Sequence, residues 1–266
     1  MRRTTRPSDV SDSGNVCAFC GAPLEPIVFE RPKALVSDGK PETVVVGYRQ
    51  CSCSGAVTAL RRAQAREAEQ VAAREQNRRL ERLRKAGIKP RYFNAYHPKT
   101  GEVVEACRRR RNVYIYGNTG ALKSTLASAA AIAMVDSPMF KRVLFATTVD
   151  VLEAIRRSFG QTSGDPLRAY KRASVLILDD FGKESPTDWA VEKLFDLVNE
   201  RYNELLPTVV TTQYEPQKLI ERLAKNGGEE NAVAIVSRLR SKVDGSLLIH
   251  LDGNDRRMQE RKEVAR

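Results

Sequence analysis

Between residues 113 and 251 the chain alternates short apolar runs with longer amphipathic stretches. The apolar runs fall at 113–116, 142–146, 174–178, 208–212 and 246–251. Each is too short for a helix and rich in Val, Ile, Leu, Tyr or Thr, which predicts strands. Between them, 123–135, 149–158, 187–204, 216–225 and 229–240 read as helices. Such β-α alternation predicts an α/β fold, a parallel sheet wrapped by helices.

Upstream the pattern changes. Residues 55–85 contain no Pro and no interior Gly, and are dominated by Ala, Arg, Glu, Gln and Leu, so they predict one long helix. Its apolar positions, Leu60, Val71, Leu80 and Leu83, form too thin a stripe to bury the helix in a core. The expectation is a solvent-exposed arm or a partner-docking surface, ending at Gly87 with Pro90 as a stop. Residues 90–105 read as a linker, with turn signals at His97-Pro98 and Thr100-Gly101. Apolar runs at 26–29 and 43–46 predict two small strands, and the polar stretch 1–13 predicts a disordered tail.

The 266 residues carry a formal net charge of +12, with 41% hydrophobic and 29% charged residues. Enough apolar material is present for a core, and the basic excess favours a phosphate-bearing partner, chiefly nucleic acid. Candidate phosphate contacts are Arg156, Arg157, Lys171, Arg172 and the run 108–111, with Phe159 in the loop 159–166 available for stacking. Solvated helix faces account for the same residues equally simply. No apolar run is long enough to span a membrane, and the basic N-terminus leads into Ser, Asp and Gly, unlike a secretory leader. A cytoplasmic protein is expected, and there five cysteines point to metal rather than disulfides.

Gly117-Asn118-Thr119-Gly120-Ala121-Leu122-Lys123-Ser124 lies between the first core strand and its helix. A loop there aims backbone N–H groups and a helix N-terminus at phosphate. With Thr125 in the first turn, these residues form the candidate ATP-binding set. Lys123 would neutralise the β and γ phosphates, and Ser124 would ligate Mg²⁺. The usual pattern has Gly before the Lys; here Leu122 brings a Cβ that crowds or strains the loop. The apolar run 175–178 ends in Asp179-Asp180, costly to bury unless the carboxylates face metal or water. Asp179 reads as the Mg²⁺-side ligand and Asp180 as the group polarising the attacking water. Gln213, ending the run 209–213, can position a water or simply reach solvent. Arg238, in the apolar stretch 235–240, reads as an Arg finger for a neighbouring subunit or as a surface ion pair; Arg256 and Arg257 are equally open.

Cys17-x-x-Cys20 and Cys51-x-Cys53 supply four thiolates, the closed tetrahedral set of a structural Zn²⁺ site. Cys107 has no nearby partner.

These motifs, in this order, resemble DnaC/DnaI-type helicase loaders. The lead-in Ala86-Gly87-Ile88-Lys89-Pro90-Arg91-Tyr92 shares the likeness, which runs over about 86–257, with a looser match in the cysteine module. The resemblance implies an AAA+ P-loop core with core strands ordered 5-1-4-3-2. It assigns Gln213 to the sensor I position, where Asn is usual, Arg238 to the trans-acting Arg finger and Arg256 to the sensor II arginine. It implies a DnaB-type replicative helicase gripped by the N-terminal region, single-stranded DNA, and self-association through the ATPase domain. The expected organisation is a tail over 1–13, a zinc-binding module over 14–54, a helical arm or linker over 55–89 and an AAA+ domain over 90–266. Leu122 and Gln213 depart from the pattern and imply slow hydrolysis, with ATP acting as an assembly switch. Two rivals share the motifs: an IstB-type transposition helper ATPase, and a nucleotide-gated adaptor with little hydrolysis.

Overall fold

The computed structural model describes residues 15–31, 42–158, 165–184, 187–226 and 228–253. The chain forms two compact units, one within 1–76 and one within 77–266.

In the first unit, β1 (Pro26–Arg31) and β2 (Glu42–Tyr48) make an antiparallel hairpin, with a register shift between Ile27 and Val28. Both strands extend the runs expected at 26–29 and 43–46. Helix α1 (Ser54–Lys85) starts here, its first turn joined to the cysteine segment by Val57 N–H donating to the Cys53 carbonyl at 3.0 Å. Leu60 and Val71 are exposed, as the sparse apolar stripe implies.

The second unit takes up the end of α1. Leu83 is fully buried, and Ala86 and Ile88 join it in the core. The arm expected over 55–89 is therefore divided, its residues from Asn77 onward being part of the second unit. Residues 90–105 are likewise not a plain linker. A short 3-10 turn spans Pro90–Tyr92, and α2 (Thr100–Arg108) buries Val103, Ala106 and Cys107. Thr100-Gly101, read as a turn, begins that helix.

Five strands form the sheet: β3 (Val113–Tyr116), β4 (Val143–Thr147), β5 (Val175–Asp179), β6 (Thr208–Thr212) and β7 (Leu247–His250). All four pairings are parallel, in the order β4-β5-β6-β3-β7. Numbered as core strands, this is 2-3-4-1-5, the expected 5-1-4-3-2 taken from the other edge. The helices α3 (Lys123–Asp136), α4 (Thr148–Ser158), α5 (Arg168–Lys171), α6 (Asp188–Asn203), α7 (Pro216–Leu223) and α8 (Glu229–Leu239) pack on it. Alternate side chains of a strand point to opposite faces, so two cores form. Val113, Ile115, Val175, Ile177 and Val209 pack with α2 and α3. Tyr114, Leu176, Leu178 and Val210 pack with α4, α6, α7 and α8. Among the described residues no helix is long and apolar enough to cross a membrane.

Two polar features fix the sheet's neighbours. Arg201 of α6 is fully buried and donates to the carbonyls of Tyr170, Lys171, Ala173 and Pro207 and to Thr208 Oγ1. Five acceptors replace the water that the guanidinium loses, so the starts of β5 and β6 are tied to one helix. At the sheet's β4 edge, Phe145 N–H donates to the Ala86 carbonyl at 2.7 Å. Gly87 sits there at φ +86°, where an added Cβ would lie 2.1 Å from the Phe145 carbonyl oxygen. Only glycine fits both the left-handed backbone and the close approach.

Gly87→Ala is expected to destabilise the second unit by about 2 kcal/mol or more, seen as a lowered thermal midpoint. Gly101→Ala, with open space around its Cβ, is the control and is expected to be neutral or stabilising by up to about 1 kcal/mol.

Candidate functional site

The loop from β3 into α3 is shaped by positive φ angles. Gly117 adopts φ +146° and Gly120 φ +83°. A Cβ on Gly117 would meet the Leu251 carbonyl oxygen at 2.0 Å, so this glycine lets the loop pass the end of β7. Leu122, at φ +59° and ψ 22°, is the N-cap of α3. The backbone thus keeps the left-handed turn that glycine adopts freely, and a leucine occupies it at a cost of about 1 kcal/mol.

Lys123 is buried and folds back over the loop, its ammonium donating to the Gly117 and Asn118 carbonyls at 2.8 Å each. Ser124 Oγ donates to Asp179 Oδ1 at 2.8 Å, and Thr211 Oγ1 donates to the same oxygen at 2.5 Å. Asp180 N–H donates to Thr211 Oγ1 at 3.0 Å. Burial pushes the Asp179 carboxyl above its ordinary range, while the hydrogen bonds from Thr211 and Ser124 pull the other way. Asp180 has φ +59°, and its Oδ2 lies 2.7 Å from the Lys183 ammonium.

Thr119, Gly120, Leu122, Lys123, Ser124 and Thr125 line one cleft with Asp180 and Gln213. Asp179 lies beneath it, within reach of Ser124. Gly117 and Asn118 present their carbonyls to Lys123, and Ala121 is buried behind the loop. Arg91, Tyr92 and Lys183 complete the wall, and sequence reasoning did not select them. The lead-in motif contained the first two; the third sits three residues after Asp180. Thr211 was also missed as a partner of Asp179, although it lies in β6, the strand that Gln213 follows.

Arg238 lies outside this cleft. Its guanidinium donates to Asn199 Oδ1 at 3.0 Å and to the Ala234 carbonyl at 3.1 Å, and rests over the Phe195 and Tyr202 rings. An amide and a carbonyl, rather than a carboxylate, hold it. Arg256, Arg257, Phe159 and the tail 1–13 lie outside the described residues.

The candidate phosphate contacts are mostly engaged within the chain. Lys171 is buried, with Asp196 and Glu200 at 2.8 and 2.9 Å and Asp165 at 3.5 Å, and so is not a surface cation. Arg157 pairs with Glu153, Arg172 with Glu200 and Glu204, and Arg108 and Arg109 with Glu105. Arg156 lies over the Trp189 ring at 5.0 Å.

In the first unit, the sulfurs of Cys17, Cys20, Cys51 and Cys53 all lie within 4.8 Å of one another. Cys17–Cys53 and Cys20–Cys51 are 3.7 and 3.5 Å apart. Zinc–thiolate bonds of about 2.3 Å in a tetrahedron separate sulfurs by roughly 3.8 Å. The cluster therefore fits a tetrahedral ion. Backbone N–H groups of Phe19, Cys53 and Ala56 point at Sγ atoms of Cys17, Cys51 and Cys53 at 3.4–3.5 Å, the supporting bonds that thiolates require. The N–H groups of Phe19 and Cys20 lower the Cys17 thiol to about 7. Cys107 is buried apart from them, and burial pushes its thiol up to about 12.

A five-stranded parallel sheet in this order, with a Lys-Ser loop opening α3 beside an Asp-Asp strand end, defines a P-loop domain of the AAA+ type. Residues 99–264 match the IstB-like ATP binding protein family, and the chain belongs to that family. It is 25% identical over 150 residues to the replicative helicase loader DnaI of Bacillus subtilis (strain 168), covering 55% of this chain and 48% of that one. It is also 25% identical over 124 residues to the phage-like element PBSX protein XkdC of the same organism, covering 45% of this chain and 46% of that one. The chain thus spans about half the length of the curated relatives it matches. A crystal structure of the DnaC helicase loader shares the fold, with a TM-score of 0.51 and 24% identity, over 62% of this chain and 100% of that one. The resemblance to DnaC/DnaI-type loaders stands on these likenesses.

Chelation, or Cys17→Ser, is expected to unfold the cysteine module while ATP binding by the second unit persists, measured by circular dichroism beside nucleotide titration. Leu122→Gly is expected to tighten ATP binding about fivefold, equivalent to about 1 kcal/mol of relieved crowding, with the thermal midpoint nearly unchanged because glycine's greater unfolded-state freedom offsets the backbone strain that it relieves.

Proposed function

We propose that the chain is an ATP-dependent loader that delivers a DnaB-type ring helicase to single-stranded DNA when replication starts. The observation that carries the ATP half is the meeting of Ser124 and Thr211 on one buried carboxylate, Asp179, beside the Lys123 loop. The loader half is supported by the likeness to DnaI.

In this reading Lys123 exchanges its loop carbonyls for the β and γ phosphates. Ser124 and Asp179 hold a magnesium ion, which when bound neutralises phosphate charge. Asp180 polarises the attacking water, and Gln213 helps to position it. Arg238 acts on the nucleotide of a neighbouring subunit, which makes hydrolysis depend on self-association, and Arg256 contacts the bound nucleotide. The four cysteines hold a structural zinc ion that cross-links the hairpin to the start of α1. The module and the exposed part of α1 form the helicase-docking surface, and the basic surface contacts single-stranded DNA.

One specific observation favours a second reading. Leu122 holds a left-handed backbone in the phosphate loop and lines the cleft. A side chain there suits a nucleotide-gated adaptor that binds ATP and turns it over slowly. The family match also keeps an IstB-type transposition helper in view.

The test incubates the full chain with a DnaB-type helicase, single-stranded DNA and ATP. Co-elution with the helicase is expected, lost in Lys123→Ala, with hydrolysis rising when all components are present. ATP binding without helicase capture, accompanied by duplex binding, overturns the loader in favour of the transposition helper. Helicase capture with no hydrolysis selects the adaptor.

A further inference from the structure

We propose that Lys183 is a nucleotide-sensing cation, shared between Asp180 and the terminal phosphate of ATP. The proposal rests on the reading of the cleft as an ATP site and deepens it.

The backbone of the turn that carries Lys183 is hydrogen-bonded on two sides. Lys183 N–H donates to the Asp180 carbonyl at 3.2 Å, closing a turn through Gly182 at φ +90°. Gly182 N–H donates to Glu184 Oε2 at 2.9 Å, and Glu184 is buried. From α7, Arg222 donates to the carbonyls of Gly182 and Glu184 at 3.2 and 3.1 Å. The backbone of the turn is thus held by both a buried carboxylate and a guanidinium from another helix.

The Lys183 side chain, by contrast, is held only by an exposed ion pair. It is 53% exposed, and the Asp180 side chain that it meets at 2.7 Å is 35% exposed. An ion pair this open is weak, worth at most about fivefold in an equilibrium. A terminal phosphate carries more negative charge than one carboxylate. In the same cleft, beside Lys123, Ser124 and Gln213, it competes for the ammonium on favourable terms. ADP lacks that phosphate and leaves the Asp180 pair intact.

The consequence reaches Asp180. While Lys183 sits on Oδ2, that carboxylate is neutralised and its lone pairs are partly occupied, so it is a poor partner for water. Transfer of the ammonium to ATP frees Asp180 when there is a bond to hydrolyse, and binding and release of the base become one event. Lys183 would then set the preference for ATP over ADP rather than overall nucleotide affinity.

The test measures equilibrium binding of a non-hydrolysable ATP analogue and of ADP, each with magnesium, to the full chain. Lys183→Met is expected to lower the ATP-over-ADP preference about fivefold, with ADP affinity and thermal midpoint unchanged. Lys183→Arg keeps the charge and is expected to restore the preference. A Lys183→Met preference that is unchanged or increased, or equal weakening of both ligands, overturns the proposal. Failure of the unsubstituted chain to bind either ligand overturns the ATP-site reading instead.

Discussion

The second unit is organised around one buried oxygen, Oδ1 of Asp179. A carboxylate taken out of water costs several kcal/mol unless hydrogen bonds replace its hydration. Two hydroxyls, from Ser124 and Thr211, converge on it. Their elements are far apart in the chain and brought together by strand order, because β6 lies between β3 and β5. The helix that follows β3 must reach over β6 to touch β5, and Thr211 stands under that path. The phosphate-type loop, the Asp-Asp strand end and the end of β6 before Gln213 are thereby fixed to one another.

Further bonds stiffen the same junction. Thr211 accepts from Asp180 N–H, its carbonyl accepts from Phe181 N–H, and Thr212 Oγ1 donates to the Phe181 carbonyl. Among the described residues, two of the four non-glycine residues at positive φ, Leu122 and Asp180, face the cleft. Left-handed backbone at such residues persists only where its surroundings over-determine it. Here the α3 N-terminus and the β6 hydroxyls do so.

Much of this was legible in the sequence because it is local. Each sheet strand is a short apolar run with turn residues around it, and the Lys-Ser and Asp-Asp pairs sit at the strand–helix junctions where such chemistry belongs. What could not be read depends on distant partners. Leu83 looks like one apolar residue on a polar helix, and its burial comes from the core that closes over it. The nine-residue α2 opens with Thr100-Gly101, a turn signal, and its apolar positions Val103, Ala106 and Cys107 are too few to declare a period. Lys171 looked like a surface cation because its two nearest carboxylates, Asp196 and Glu200, come from α6, more than twenty residues on. Arg91 and Tyr92 stand in the lead-in motif, but nothing in that motif marks them as cleft residues; the 3-10 turn Pro90–Tyr92 carries them into the wall.

That turn also gives the long helix a mechanical meaning within the second unit. The residues that follow α1 are not merely packed: the Ala86 carbonyl completes the β4 edge, and Gly87 allows the backbone to lie against Phe145. Five residues later the chain is in the wall of the cleft. A displacement of Arg91 or Tyr92 cannot be absorbed by a flexible spacer, because the edge hydrogen bond and the burial of Ile88 hold the segment at its start. The same short segment thus both packs the end of α1 into the core of the second unit and supplies part of the wall of the cleft.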